Sequence, residues 1–215
     1  MEALLELRRN NHQRGKWNGV RSVYNESFRT MVDLEENCDL IRTVENEVPP
    51  GLVQCESFIR ALYALSDDER DLDLRVAARL ARQEVFRKPG APEIAFVVSE
   101  SALRRQYGPP EVMREQIDHM VKLSRLPNVH YQVLPFKTRG QSDLIVDRFV
   151  LLRIPSPGVA GPLEFFYTEN QAELRYLDEK PLVALFDQVW ARLTGAALGF
   201  EESRRFMRRV ASEYN

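Results

Sequence analysis

The feature that most restricts the fold is an uninterrupted run of apolar residues at positions 94–98, in the middle of the chain. Pro89 and Gly90 precede this run, and a carboxylate, Glu100, follows it closely. A short apolar run bounded by turn residues is typical of a β-strand that is covered on both faces. The sequence therefore predicts a sheet with packed layers on its two sides.

The residue patterns around this strand predict more strands and several helices. Further strands are predicted at 38–44, 128–134, 148–154, 163–168 and 172–177. Helices are predicted at 20–32, 54–65, 66–87, 111–125, 180–194 and 199–213. This order does not alternate regularly, so we predict the α+β class, with a central mixed β-sheet of about five strands flanked by helices and with helical N- and C-terminal segments. The predicted division is a junction-like helical segment at 1–33 and an α+β effector or partner domain at 34–215.

Composition limits the class of protein. The chain has 215 residues, a formal net charge of −2 and 44% hydrophobic residues, which suits one packed domain and excludes wholesale disorder. No run of about 18 apolar residues and no signal-peptide pattern is present, so we expect neither a membrane partner nor secretion. With only two cysteines, the expected compartment is the reducing cytoplasm.

Charge is unevenly distributed near the start of the chain. Residues 1–30 carry a local net charge of +3 and residues 31–56 one of −6. Two solvated faces are the favoured interpretation. The alternative is a basic start that contacts DNA or an acidic partner through Arg8, Arg9, Arg14 and Lys16.

Established catalytic and cofactor motifs are absent from the sequence. It contains no Gly-rich phosphate loop, no GxSxG and no HExxH. The three histidines, His12, His119 and His130, are far apart along the chain. We therefore predict no metal site and expect no cofactor.

A few residues are candidates for chemistry, each with a structural alternative. Glu100 either lines a pocket at the end of a buried strand, or caps the following helix and pairs with Arg104. Glu100 and Glu169 could work as an acid and a base if the fold brought them together. Cys55 could be a nucleophile at a helix start, where the dipole lowers a thiol pKa, but a small buried residue is the favoured interpretation.

Six segments, in the same order, resemble one family. Residues 48–61, VPPGLVQCESFIRA, resemble its V-P-G-L-L-Q-T-x-x-Y-A-R-A signature. The other five segments are similar to L-E-x-x-A-x-x-I, V-x-E-x-A-L-R, M-x-x-Q-(L/I)-x-x-L, P-N-V-x-x-x-V-L-P and V-Y-x-E, and they lie at 34–41, 98–104, 113–123, 127–135 and 165–169. The chain thus resembles the domain of unknown function that follows the helix-turn-helix in actinobacterial Xre-like transcription regulators.

The resemblance implies a regulatory domain. From strand ends and signature matches, we predict that its ligand-binding residues are Gln54, Glu100, Arg104, Gln116, Tyr167 and Glu169. It also implies a small molecule or a small partner protein as the binding partner, with a homodimer as a further option. The chain departs from the family pattern at Cys38 and Cys55, and residues 1–16 are too short for a helix-turn-helix. DNA is therefore expected as a partner only through a missing helix-turn-helix.

Two functions follow as hypotheses, besides DNA binding. The leading one is a regulatory domain, typical of secondary metabolism, that senses a small molecule or binds a partner. The alternative is a stand-alone biosynthetic enzyme, such as an isomerase, cyclase or hydrolase, that uses Glu100, Glu169 or Cys55.

Overall fold

The computed structural model describes residues 26–65, 71–138, 147–155, 161–169 and 174–214. The basic residues Arg8, Arg9, Arg14 and Lys16 lie outside these ranges, as does most of the turn predicted at 169–171. The division of the chain at residue 33 stays a prediction, because the described part of the first segment begins only at Glu26.

Seven α-helices and six strands make up the described chain. The helices are α1 (Glu26–Asn37), α2 (Glu56–Ala64), α3 (Leu72–Ala81), α4 (Glu100–Arg104), α5 (Pro110–Leu123), α6 (Lys180–Ala196) and α7 (Phe200–Glu213). The strands are β1 (Leu40–Glu45), β2 (Glu93–Ser99), β3 (Val129–Leu134), β4 (Phe149–Ile154), β5 (Leu163–Glu169) and β6 (Leu174–Leu177). Two short 3-10 helices, Gly51–Val53 and Arg82–Phe86, complete the described elements.

The strands form one mixed sheet in the order β3-β2-β1-β4-β5-β6. The pairings of β1 with β2 and of β2 with β3 are parallel, whereas the pairings from β1 through β4 and β5 to β6 are antiparallel. The prediction of an α+β domain with a mixed central sheet is confirmed, and the sheet has six strands rather than about five. Strand β2, which contains the apolar run at 94–98, lies inside the sheet between β1 and β3.

Helices cover both faces of the sheet, as the burial of β2 requires. Ile94, Phe96 and Val98 point into a large core that also contains side chains of α1, α2, α5 and α7. Ala95 and Val97 point to the opposite face, where α6 contributes Val183, Trp190 and Leu193 to a smaller core. Because successive side chains of β2 point to opposite faces and both faces are covered, every residue of the run at 94–98 is apolar, and this unbroken run was recognisable from sequence.

The outer edge of β3 is covered by the chain that connects α6 to α7. The Val133 backbone N–H donates to the Ser203 hydroxyl at 2.9 Å, and the Leu198 N–H donates to the Val133 carbonyl at 2.9 Å. Gln132 donates from its side-chain amide to the carbonyls of Thr194 and Leu198, both at 3.1 Å. These bonds satisfy backbone groups that would otherwise template pairing with another chain.

Two helix boundaries differ from the sequence-based ones for a physical reason. Within the described residues of the helix predicted at 66–87, the α-helix runs from Leu72 to Ala81 and then tightens into a 3-10 helix. The first described helix extends to Asn37, because its later residues Val32, Leu34 and Glu35 are buried. Among the described helices, none combines the length and the apolar character that a membrane-crossing helix needs.

Candidate functional site

A cavity of about 220 Å³ lies on the large-core face of the sheet, near the carboxyl end of β1. Its floor is a row of neighbouring residues on four strands: Phe96 pairs with Thr43, Thr43 pairs with Val150, and Val150 pairs with Tyr167. Because these residues are in register, their side chains point to the same face of the sheet. The cavity is smaller than a typical drug-sized pocket and has room for about seven water molecules.

Two hydroxyl groups lie in the floor of the cavity. They belong to Thr43 and Tyr167, whose exposed fractions are only 5% and 4%. Burial raises the pKa of Tyr167 well above its usual value, and the carboxylate of Glu35 adds to the rise. Tyr167 is therefore a neutral phenol that can both donate and accept a hydrogen bond.

Two ion pairs form polar walls of the cavity. Glu35 on α1 accepts a forked set of bonds from Arg82, with Nη2 at 2.9 Å from Oε1 and Nε at 3.2 Å from Oε2. Both side chains are almost fully buried. At the strand end, Glu45 lies 3.2 Å from the guanidinium of Arg148, which is more exposed.

The roof of the cavity is the segment at 48–54, the first half of the signature motif. Gln54 holds this turn closed, since its Nε2 donates to the Pro49 carbonyl at 2.8 Å and its Oε1 accepts from Arg79 Nη1 at 2.8 Å. Gln116 on α5 fixes the end of the turn by donating to the Val53 carbonyl and accepting from the Cys55 N–H, both at 2.8 Å. Side-chain amides thus replace the regular backbone pairing that this turn lacks.

Of the six ligand-binding residues proposed from sequence, the cavity lining contains Gln54 and Tyr167. Gln116 lies behind the roof and is fully buried, with its amide already bonded to backbone. The sequence could group these residues only by signature and strand position, so it did not separate a lining residue from one that supports the lining.

Glu100 and Arg104 lie away from the cavity lining, in a network that joins α4 to α7. Arg104 donates to Glu100 at 2.5 Å and to Glu213 at 2.5 Å. The second carboxylate oxygen of Glu100 accepts the backbone N–H of Phe136 at 2.9 Å. These contacts agree with the structural alternative in which Glu100 pairs with Arg104.

The fold keeps Glu100 and Glu169 apart along the same edge of the sheet. Glu100 follows β2, Glu169 ends β5, and strands β1 and β4 lie between them. With a spacing of about 4.8 Å between strands, their backbones are about 14 Å apart. The side chain of Glu169 lies outside the described part of the structure, so the acid–base pair with Glu100 stays a prediction.

Cys55 precedes α2 and is buried, and its thiol lies 3.2 Å from the Ser57 hydroxyl. Ser57 donates its own proton to Glu115, so the thiol is the donor towards Ser57. Burial raises the pKa of the Cys55 thiol, and the bond to Ser57 offsets part of that rise. No histidine contacts it in the described chain, so the geometry agrees with the favoured interpretation of a small buried residue.

We expect both cysteines to resist alkylation in the folded protein. Burial raises the pKa of Cys38 to about 12, and the Cys55 pKa is also raised. At pH 8, iodoacetamide should label neither thiol without urea and both thiols in urea, as counted by intact mass. Because the unfolded thiols ionise near pH 8.5 and the folded ones do not, the free energy of unfolding should fall as pH rises above about 8.5. Rapid labelling of one native thiol would contradict this prediction.

Several lining residues were missed by the sequence analysis. They are Glu35, Thr43, Glu45, Arg79, Arg82 and Arg148. A signal was present for two of them, because Thr43 and Glu45 occupy alternate positions of β1 that share a face with apolar Ile41. Polar residues on the inward face of a strand are candidates for a site. The arginines gave no such signal, since their partners are distant in sequence.

Comparison with known proteins gives one match. A protein-family model described as Domain of unknown function (DUF5753) matches residues 28–209. No curated protein and no solved structure matches the chain. In the described residues, no group of three or more His, Cys, Asp and Glu side chains is arranged to hold a metal ion.

Proposed function

We propose that this chain, which belongs to the DUF5753 family, is a regulatory domain. It would sense a small molecule in the cavity under the signature turn. One observation carries the proposal: two nearly buried residues of the cavity floor, Thr43 and Tyr167, bring hydroxyl groups to a cavity whose charged walls are largely ion-paired. A ligand that makes a good hydrogen bond to such a hydroxyl gains about 0.5–1.5 kcal/mol of affinity there.

The position of the cavity suits a sensor. Met31 and Glu35 of α1 line it, and residues of β1, the signature turn and α3 complete the walls. Helix α1 is the first described element and follows the residues at 1–25 in sequence. A ligand that binds more tightly to one position of α1 would shift the population towards that position. Such a shift is the signal that we propose the domain transmits to a partner protein or to a DNA-reading module.

The enzyme alternative has no observation in its favour. The cavity lacks both Glu100 and Cys55, and its two carboxylates, Glu35 and Glu45, are engaged by arginines. A general base must reach the proton it abstracts, and both lining carboxylates already face guanidinium groups. The cavity also favours a small molecule over a protein as the primary ligand, since it is too small for a protein segment of several residues.

The hydroxyl of Tyr167 offers the sharpest test of this proposal. We expect a screen of small metabolites by thermal shift to find compounds that stabilise the protein, and Tyr167→Phe to weaken their binding about 2- to 10-fold in calorimetry, the value of one hydrogen bond. Tyr131→Phe is the matched control. Tyr131 lies in the same row of the sheet, is fully buried with an unpaired hydroxyl, and is absent from the lining.

The control separates loss of a ligand contact from a general effect of removing a buried hydroxyl. Tyr131→Phe should leave ligand binding unchanged and should not lower the melting temperature, because it removes an unsatisfied polar atom. Equal weakening of binding by the two variants, or a screen without any stabilising compound, would contradict the proposal.

A further inference from the structure

We infer that the ligand of this cavity is a small organic acid whose carboxylate binds beside Gly51 and Arg79, with an apolar body over the floor. The inference rests on the proposed function and names the chemical class of the ligand. Three arguments carry it: the charge of the lining, the convergence of two guanidinium groups, and the distribution of apolar side chains.

The charge of the lining is positive by one unit, and the surplus is on Arg79. The lining contains three arginines and two carboxylates. Glu35 pairs with Arg82, and Glu45 pairs with Arg148. Within the described part of the chain, Arg79 has no carboxylate partner: it donates to the Tyr63 hydroxyl at 3.0 Å and to the Gln54 amide oxygen at 2.8 Å. A guanidinium in a half-buried site with only neutral acceptors favours the binding of an anion.

Two guanidinium groups converge where Gly51 lacks a side chain. A Cβ atom placed on Gly51 would lie 3.7 Å from Nη1 of Arg82 and 3.8 Å from Nη1 of Arg79. The signature glycine therefore leaves open the space between two positively charged nitrogens. A carboxylate oxygen there would accept charge-assisted hydrogen bonds, which are stronger than hydrogen bonds between neutral groups.

The remaining surface defines the other end of the ligand. Apolar side chains of Met31, Leu52, Leu62 and Phe96 line the cavity. The hydroxyls of Thr43 and Tyr167 lie on strands β1 and β5, whose backbones are about 10 Å apart across β4. A ligand with a compact apolar body, a carboxylate at one end and an oxygen at the other would contact the apolar side chains and could bond to one of the two hydroxyls.

The test compares acids with amides of the same shape. The probes are para-hydroxybenzoate against para-hydroxybenzamide, and isovalerate against isovaleramide, titrated calorimetrically into the full chain. We expect each acid to bind about tenfold or more tightly than its amide, the value of hydrogen bonds to a charged group. Arg79→Gln should abolish this preference.

Two further variants test whether the loss of the acid preference in Arg79→Gln comes only from a general change of the structure. Arg75→Gln removes the same charge one helical turn earlier on α3, where Arg75 stacks on the Tyr63 ring outside the lining, and should keep the preference for acids. Gly51→Ala meets both guanidiniums at ordinary contact distance, so it should fold normally and weaken the acids more than the amides. Retention of the acid preference in Arg79→Gln would overturn the inference.

The outcomes distinguish this inference from the proposed function. Amides that bind as tightly as the acids, and lose affinity in Tyr167→Phe, would overturn the inference and leave the sensor function standing. Failure of all four probes to bind the wild-type chain would also overturn the inference, and the wider metabolite screen would then decide the proposed function on its own.

Discussion

Glu35→Ala is expected to lower the free energy of unfolding by about 3–5 kcal/mol, the largest effect of any single polar substitution that we predict. Arg82 is buried, and Glu35 supplies the forked carboxylate partner that the structure shows for its Nε and Nη2 atoms. Removing Glu35 leaves an almost fully buried guanidinium without that carboxylate partner. Urea unfolding, followed by the fluorescence of the buried Trp190, would measure the loss.

A double variant and a surface pair provide the controls. Glu35→Met with Arg82→Met removes both charges and should recover most of the lost stability, because a buried ion pair gains little over well-packed apolar side chains. Asp73→Ala breaks the exposed pair with Arg60 and should cost much less stability than Glu35→Ala, because exposed ion pairs contribute little. A Glu35→Ala protein as stable as the Asp73→Ala protein would show that Arg82 is solvated, contrary to its burial.

Gln116→Leu is expected to cost about 2–4 kcal/mol, although its side chain is close in size to that of glutamine. The Gln116 amide satisfies the Val53 carbonyl and the Cys55 N–H. Leucine can replace neither bond, so two buried backbone groups lose their partners, each at about 1–3 kcal/mol. The same unfolding measurement tests this prediction.

Met120→Leu is the matched control for Gln116→Leu. Met120 is fully buried, one helical turn further along α5, and this swap conserves volume, so it should cost less than about 1.5 kcal/mol. If Gln116→Leu is no more destabilising than Met120→Leu, the amide does not hold the turn. A loss of ligand affinity at unchanged stability would instead support the ligand-binding role that we predicted for Gln116 from its signature match.

The predictions for Glu35→Ala and Gln116→Leu concern the same structural question, which is how the signature turn is kept in place. Arg82 and Arg79 come from the α3 region, Gln116 comes from α5, and all three converge on the segment at 49–55. Such a turn has few backbone partners of its own. Its shape, and with it the shape of the cavity, depends on side chains that other elements deliver.

Much of the fold followed from local patterns in the sequence. The apolar run at 94–98 fixed a central strand, and the spacing of Met113, Ile117 and Met120 fixed one face of α5. These signals are strong because alternation with period two or 3.6 reflects burial directly. Helix ends were less predictable, as the tightening at Arg82–Phe86 shows, since tertiary contacts decide where a helix stops.

The site was only partly predictable for a different reason. Gln54 and Tyr167 were identified from a signature and a strand end, and both line the cavity. Glu35 and Arg82 are separated by 47 positions, and Thr43 and Tyr167 become neighbours only through β4. Contacts between residues so distant along the chain leave no periodic trace, so composition and spacing could not reveal them.

The sequence by itself determined the class of this protein. The irregular order of strand and helix patterns indicated an α+β domain, and the short apolar run between turn residues indicated a strand buried on both faces. The sequence also marked the signature turn at 48–54 as a special segment. Only the tertiary structure decided what that turn does. By bringing Gly51 close to two guanidiniums, over a floor that carries two hydroxyl groups, the strand order and the packing of α1 and α3 made a polar cavity from residues that are ordinary when considered one at a time.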